Sequence, residues 1–402
     1  MEMITLKPVQ AFLCFLIWMS IITKSQGQSV VDAKQSGAKG DGVTDDSKAL
    51  TSAWQKACSS PTPSKLVVPP GQYASGPMTF LGPCKAPITV EFQGNLKAPT
   101  DINQLKSQDG WIVFQQIDAL TLNGGVFDGR GQVAWSENNC AQTGKCSNLP
   151  INIRFNKVTN SLVQGITSVD SKLFHMNILQ CQNLTLSHIT INAPAESLNT
   201  DGIHIGRSTG IKITDSDIKT GDDCISMGDG SQQVTIEKVR CGPGHGISVG
   251  SLGKYHDEQP VMGVFVRDCT FTNTMNGVRV KTWPASPNGI CQDLHFENLQ
   301  MNNVGTPILI DQQYCPYGQC QAQAPSKVKI SQVSFKGIHG TSSTKVVTKI
   351  ACSKGIPCQN VELSDINLQY QGKDGGGVSQ CANVLPKMTG QIFPPPCTTT
   401  PS

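Results

Sequence analysis

The sequence predicts an all-β fold, a single-stranded right-handed parallel β-helix with a short capping helix at its N-terminal end. The first observation is a repeat, since apolar triplets that begin at Ile203, Ile225 and Ile247 follow one another at 22-residue intervals. The second is a series of short alternating strands along the chain. The third is that Asn-Gly turns, which hairpin folds need between strands, occur without regular spacing. Repeats with one strand in the same place predict a solenoid, and parallel crossovers are nearly always right-handed.

A single amphipathic helix is predicted from about Asp45 to Cys58. Residues typical of a helix N-terminus, Thr44, Asp45 and Asp46, precede it. We expect the helix to close the open end of the solenoid, where the first coil would otherwise expose unpaired strand edges. Its apolar residues, at helical spacing, are Ala49, Leu50, Ala53, Trp54 and Ala57.

The strand signals continue over most of the chain, with at least two strands per coil and Asn, Gly and Asp at the corners. After about Gly372 the pattern fades into a tail rich in Gly and Pro. The strands of the series begin at Ile88, Leu120, Leu184, Ile211, Val234, Val264, Leu294, Val328 and Val361.

Residues 1–27 are predicted to be a signal peptide, because Ala11–Ile22 is an apolar run of signal-peptide length, too short for a spanning helix. The remainder, 28–402, is predicted to be one β-helix domain, secreted and monomeric. The formal net charge of the chain is +3, with no basic run, so neither nucleic acid nor a membrane is expected as a partner.

Cysteine usage agrees with an exported protein. The chain has 16 cysteines, one of them in the predicted leader, so an odd number remains and at least one thiol is unpaired within the chain. No CxxC pair occurs, which disfavours zinc, and we expect neither a metal nor a cofactor. The proposed pairs are Cys58/Cys84, Cys224/Cys241, Cys315/Cys320, Cys352/Cys358 and Cys381/Cys397.

Four polar motifs lie beside the repeating triplets. Asp201, Asp223 and His245 each stand two residues before the first apolar residue of a triplet, so neighbouring coils should stack them about 4.8 Å apart. Bends at Gly221 and Gly244 should turn them toward a groove. In chain order the motifs are Asn199-Thr200-Asp201-Gly202, Gly221-Asp222-Asp223, Gly244-His245-Gly246 and Arg279-Val280-Lys281.

Alternation places Asp222, Arg279 and Lys281 in the outward phase. An isolated Asp in a β-solenoid is usually a corner residue that bonds backbone amides. Equivalent carboxylates in consecutive coils, beside an outward acid, a histidine and two cations, favour a site that splits an acidic sugar chain. His204 we interpret as a structural or surface residue.

The four motifs, in this order, resemble the signatures of the polygalacturonases, glycoside hydrolase family 28. The likeness runs from about Val31 into the C-terminal region, and Gly40–Asp46 resembles the start of plant members. The chain as a whole resembles the plant, pollen-type exo-acting members. The resemblance implies hydrolysis of α-1,4-linked galacturonic acid with inversion at a plant cell wall, and a pectic polysaccharide as the partner.

The resemblance also implies roles for individual residues. Asp222 would protonate the departing oxygen, and Asp201 with Asp223 would activate water. From the residues themselves we expect His245 to hydrogen-bond Asp223, and the two stacked carboxylates to share a proton or a bridging water. Substrate-binding residues would be Arg279, Lys281, Tyr314 and Asn199, and Arg suits a sugar carboxylate because it binds bidentately.

Two other functions stay open. A polysaccharide lyase on the same architecture would need a calcium cluster of carboxylates and a basic proton abstractor. A non-catalytic wall-binding solenoid would not need Asp222 in the outward phase. Endo-action is the alternative to exo-action, and the insertion from Trp135 to Pro150 is a candidate blocker of one groove end. Asn183 lies in a glycosylation sequon.

Overall fold

The computed structural model describes residues 29–105, 110–138, 149–318, 320–321, 324–395 and 397. The predicted signal peptide and residues 139–148 of the predicted groove-blocking insertion lie outside these ranges. Within them the chain forms a right-handed parallel β-helix, as predicted. No helix in the described part is long and apolar enough to cross a membrane.

One face of the β-helix is an eleven-stranded sheet, counted over the described residues. Its register confirms the predicted repeat, because Ile203, Ile225, Ile247 and Val278 lie opposite one another in four consecutive coils and are fully buried. Its strands are Met78–Leu81, Gly110–Gln115, Ile151–Asn156, Met176–Leu179, Ile203–Gly206, Ile225–Met227, Ile247–Leu252, Asn276–Thr282, Thr306–Asp311, Val346–Ala351 and Val378–Ala382.

The other faces form a twenty-stranded sheet, again over the described ranges. Some long strands of this sheet span two faces: Thr209–Lys219, for example, pairs with two separate strands of the preceding coil. Its strands are Ser29–Asp32, Asp41–Asp45, Ser64–Val68, Gln72–Ala74, Ile88–Phe92, Asn95–Lys97, Leu120–Asn123, Val126–Asp128, Thr159–Gln164, Thr167–Val169, Gln182–Ser187, Thr190–Asn192, Thr209–Lys219, Gln232–Cys241, Val261–Arg267, Thr270–Thr272, Gly289–Val304, Val328–Ser342, Gln359–Tyr370 and Lys387–Phe393.

Two details of the predicted strand series are wrong. Val333, not Val328, lies opposite Leu294 and Val361, because the strand Val328–Ser342 begins five residues before the shared register. The pattern also does not end at Gly372, since Val378–Ala382 and Lys387–Phe393 pair in parallel with the preceding coil.

The predicted helix is present as Ser47–Cys58 and covers the N-terminal end of the core. Trp54 packs against Phe80, with ring centroids 5.2 Å apart, and its Nε1 donates to the Leu81 carbonyl at 3.0 Å. Asp46 is the N-cap residue, but its carboxylate accepts from the Lys39 and Gly40 amides instead of capping the helix. Short helices also occur at Gln132–Glu137, and 3-10 turns at Ile102–Leu105 and Pro316–Gly318.

The five proposed disulfides all form, at Cys58–Cys84, Cys224–Cys241, Cys315–Cys320, Cys352–Cys358 and Cys381–Cys397. Cys181, Cys269 and Cys291 are buried free thiols. Asn183 is exposed on the twenty-stranded sheet and its Nδ2 donates to Asn160 Oδ1 at 2.9 Å. Glycosylation there stays a prediction.

Candidate active site

Three of the polar motifs lie just before consecutive strands of the eleven-stranded sheet, and the fourth, Arg279-Val280-Lys281, lies within the next strand. Successive coils stack closely, and the Gly202 amide donates to the Asp223 carbonyl at 2.9 Å. The chain bends at Gly221, as predicted. A Cβ at Gly221 would lie 1.9 Å from the Ser197 carbonyl oxygen, so only glycine allows the coils to approach this closely.

Asp223 is held by two cations. Arg279 Nη2 donates to Oδ1 and Lys281 Nζ donates to Oδ2, each at 2.7 Å, while Ser248 Oγ donates to Oδ1 at 2.8 Å. The Asp223 side chain is only 1% exposed. Burial by itself would raise the pKa of Asp223, but Lys281 and Arg279 outweigh it and hold the pKa well below its ordinary value. Asp223 is therefore the ionised carboxylate of the site.

Asp201 has the opposite environment. Its Oδ2 accepts from Ser226 Oγ at 2.7 Å, and no cation pairs with it in the described part of the chain. Burial, followed by the charges of Asp222 and Asp223, raises the pKa of Asp201 well above its ordinary value. Of the two carboxyls, Asp201 therefore keeps a proton more readily than Asp223. The shared proton or bridging water expected from their stacking stays a prediction.

Asp222 is the more exposed acid, with 21% of its side chain accessible. Its Oδ1 accepts from His245 Nδ1 at 2.9 Å and from the Asp223 amide at 2.8 Å. Its Oδ2 has only a long contact, 3.4 Å, with Asn199 Nδ2. The predicted hydrogen bond from His245 to Asp223 is wrong. The His245 amide donates to the Asp222 carbonyl at 2.8 Å, which brings the imidazole to Asp222, and two cations already hold Asp223.

Arg279 and Lys281 are in the outward phase, as predicted, but they do not face solvent. Their side chains are 9% and 8% exposed because both turn along the sheet onto Asp223. Alternation identifies the face of a sheet on which a side chain lies, but not what covers that face.

Tyr314 lies against the same cations. Its ring centroid is 5.2 Å from Lys281 Nζ and 5.9 Å from Arg279 Cζ, and Trp283 packs edge-on against it at 5.9 Å. Burial raises the pKa of Tyr314, so its hydroxyl stays a neutral donor. The structure therefore brings all eight predicted site residues, Asp201, Asp222, Asp223, His245, Asn199, Arg279, Lys281 and Tyr314, into one connected cluster.

Three contributors were missed by the sequence reasoning: Ser226, Ser248 and His204. The central positions of the repeating triplets were a usable signal, since they stand in the outward phase between the motifs. In the structure each serine donates to one of the two stacked carboxyls.

A metal ion does not fit this cluster well. One ligand atom each from Asp222, Asp223 and His245 lies within 4.8 Å of the others, a spacing that a cation can bridge. However, Arg279 and Lys281 already neutralise Asp223, so a divalent ion would meet two fixed positive charges at close range.

Comparisons with known proteins agree with the architecture. An exopolygalacturonase of Thermotoga maritima superposes with a TM-score of 0.73 at 18% identity, over 90% of this chain and 91% of that one. An endo-xylogalacturonan hydrolase of Aspergillus tubingensis superposes with a TM-score of 0.77 at 24% identity, over 93% of this chain and 99% of that one. At these identities the likeness shows the fold.

The sequence comparisons are closer. An exopolygalacturonase of Arabidopsis thaliana is 57% identical over 92% of this chain and 83% of that protein. One of Oenothera organensis is 52% identical over 88% of this chain and 98% of that protein. The profile of the glycosyl hydrolases family 28 matches residues 58–390. The chain belongs to glycosyl hydrolases family 28.

Proposed function

We propose that this protein is an exo-acting polygalacturonase, a hydrolase that removes galacturonic acid from the non-reducing end of α-1,4-linked polygalacturonate with inversion. The observation that carries the proposal is one cluster with three distinct carboxyls: Asp222 is partly exposed, Asp223 is ion-paired and Asp201 is buried without a cation. Relatives about half identical in sequence are exopolygalacturonases, which supports the exo-action.

Asp222 is the proton donor in this proposal. Its Oδ1 already accepts two hydrogen bonds, so Oδ2 is the oxygen left to carry and give up a proton. As the bond between the anomeric carbon and the glycosidic oxygen breaks, that proton passes to the departing oxygen. His245, hydrogen-bonded to Oδ1 and 29% exposed, orients the acid and connects it with solvent for reprotonation.

Water attacks the anomeric carbon from the opposite face and loses its proton to Asp223, with Asp201 helping to hold it. The ion pairs that keep Asp223 charged also make it a weak base, so positioning of the water supplies most of the acceleration. One oxygen of Asp222 and one of Asp223 lie within 4.8 Å of each other, which is less than the about 6.5–9.5 Å between the two carboxyls of a typical inverting glycosidase. Asp223 is nevertheless a poor nucleophile, because charge-assisted hydrogen bonds occupy both its oxygens.

The same cations serve substrate binding. Arg279 uses Nε for Ser248 and Nη2 for Asp223, and Lys281 uses one of its three protons for Asp223. Their remaining donors, with the Tyr314 hydroxyl and the Asn199 amide, are available for the carboxylate and hydroxyls of a galacturonate residue. The reaction needs no cofactor.

An extracellular location, at the plant cell wall where pectin lies, goes with this activity, and we propose that the protein acts there as a secreted monomer. Five disulfides support an oxidising compartment. Retention of the mature protein inside secreting cells would contradict this location.

Product analysis on polygalacturonate tests the function. We expect galacturonic acid alone at early times, detected by chromatography. A mixture of galacturonate oligomers at early times would show that the enzyme is endo-acting. Unsaturated, ultraviolet-absorbing products would indicate a lyase, and no release from any galacturonan would favour a non-catalytic wall-binding protein.

A further inference from the structure

A column of outward-facing residues on the eleven-stranded sheet contacts the carboxyls of Asp201 and Asp223. Strand register aligns His204, Ser226, Ser248 and Arg279 on four consecutive coils. Each serine stands one coil beyond a carboxyl and hydrogen-bonds it. Each serine also has one further partner on an adjoining coil, and the two partners differ in charge.

The first chain ends at a histidine. Ser226 Oγ donates to Asp201 Oδ2 at 2.7 Å, and His204 Nδ1 lies 2.8 Å from the same hydroxyl oxygen. A hydroxyl has one proton, so when Ser226 donates to Asp201 it must accept from His204. This assigns the neutral tautomer with hydrogen on Nδ1. Phe174 packs against the imidazole at 5.1 Å and fixes the ring plane.

The second chain ends at an arginine. Ser248 Oγ donates to Asp223 Oδ1 at 2.8 Å and accepts from Arg279 Nε at 3.0 Å. The two chains share their geometry, but one ends in a neutral ring and the other in a permanent cation. The neutral chain therefore orients a carboxyl without supplying a charge.

We propose that His204 is a positioning residue acting through Ser226, and that this neutral relay keeps Asp201 Oδ2 as an acceptor and leaves Oδ1 to hold the reacting water by a hydrogen bond while the water loses its proton to Asp223. This rests on the proposed hydrolysis. In the described chain Oδ1 of Asp201 accepts no hydrogen bond from the protein. The interpretation of His204 as merely structural is thereby replaced.

The charged surroundings keep the relay neutral. Burial, then the positive charge of Lys281, lowers the pKa of His204 to about 4, against smaller opposing effects of Asp223 and Asp229. Around Asp201 the charged groups are Asp222, Asp223 and Lys281. His204 stays uncharged above about pH 5, so it does not pull Asp201 into the ionised form.

Substitutions in the relay test the proposal with purified full-length protein and polygalacturonate. Ser226→Ala should lower kcat about tenfold, as expected for one lost hydrogen bond to a reacting carboxyl, with KM within about twofold. The apparent pKa that Asp201 contributes to the pH profile of kcat/KM should rise by about 0.5–1 unit, because loss of the Ser226 hydroxyl donor favours the protonated form of Asp201. His204→Leu should lower kcat about threefold, and His204→Asn, which keeps a donor, should restore it.

The matched control is a second His–Ser pair on the twenty-stranded sheet. His295 Nδ1 lies 2.7 Å from Ser334 Oγ, also between residues in register on adjacent coils. Ser334→Ala should leave kcat, KM and the pH profile unchanged.

Three results would overturn the relay. One is an unchanged pH profile in Ser226→Ala, another is a loss in His204→Asn as large as in His204→Leu, and the third is a rise in KM at constant kcat, which would make His204 a substrate contact. If Ser226→Ala fails to fold, the His204 pair decides alone. Wild-type protein without hydrolytic activity would instead refute the proposed function.

Discussion

Both sheets carry ion pairs on their outer faces, but the pairs differ in how far they are exposed to solvent. On the twenty-stranded sheet Arg240 and Asp217 pair at 2.9 Å with 70% and 31% of their side chains exposed. On the eleven-stranded sheet Arg279 and Lys281 pair with Asp223 at 2.7 Å, and all three side chains are 9% exposed or less. The distances within the ion pairs are similar on the two faces, and the difference lies in how much of each side chain is exposed to solvent.

Solvent exposure decides how strongly the charged side chains interact with one another. Exposed pairs are screened by water and contribute about 0–1 kcal/mol to stability. Buried pairs interact strongly with their neighbours, so the cations on Asp223 separate its ionisation from that of Asp201. The covered face is therefore the one that can keep Asp223 ionised beside Asp201, whose pKa is raised.

The largest expected effect is on Asp222. Asp222→Asn should lower kcat/KM about 10²–10⁴-fold, because the amide keeps the shape of the side chain but has no acidic proton. Steady-state assays on polygalacturonate check this. Asp217→Asn, on the exposed face, is the matched control and should retain full activity. Equal activity of both variants would remove Asp222 from the mechanism.

Lys281 should be next in size. Lys281→Met should lower kcat/KM at least tenfold and destabilise the protein by about 1.5–3 kcal/mol, since a buried carboxylate loses a charged donor. Activity assays and denaturant unfolding measure the two effects. Wild-type stability together with wild-type activity would contradict a role of Lys281 in holding Asp223.

A smaller effect concerns stability against pH. The pKa of Asp201 is raised in the folded protein, so between the ordinary value of about 3.9 and that raised value the folded state binds more protons, and stability falls as pH rises. Asp201→Asn lacks this cost. Its melting temperature relative to wild type should therefore climb from pH 4 toward pH 7, by at least about 2 °C. A constant difference across this range would mean that Asp201 ionises normally.

The smallest effect belongs to the exposed pair. Arg240→Ala should change the free energy of unfolding by less than about 0.5 kcal/mol and leave activity unchanged. Chemical denaturation at low and high salt measures it. A loss as large as that of Lys281→Met would erase the distinction between the two faces.

Much of this arrangement follows from sequence pattern alone. The spacing of Ile203, Ile225 and Ile247 predicts the coil register, and that register brings Asp201 beside Asp223. Both results depend only on the 22-residue repeat and on the two-residue period of each strand, which the sequence displays directly. Five disulfides offered as plausible from the closeness of their cysteines in sequence are also present, although sequence alone does not decide their connectivity.

The errors share a physical cause. The partner of His245 depends on how the chain bends at Gly244, and the burial of Arg279 depends on neighbouring loops and Tyr314. Neither is encoded in a two-residue period. The slip at Val328 arises because a long strand offers several alternating apolar positions, and only pairing with adjacent coils selects one of them.

The most direct test of the account is the configuration of the sugar first released, followed by proton NMR during hydrolysis of a short galacturonate oligomer. If Asp223, held by Arg279 and Lys281, is the charged base for water, the β-anomer appears first and then mutarotates. Initial release of the α-anomer would mean that a carboxylate attacks the sugar directly, and would contradict this role of Asp223.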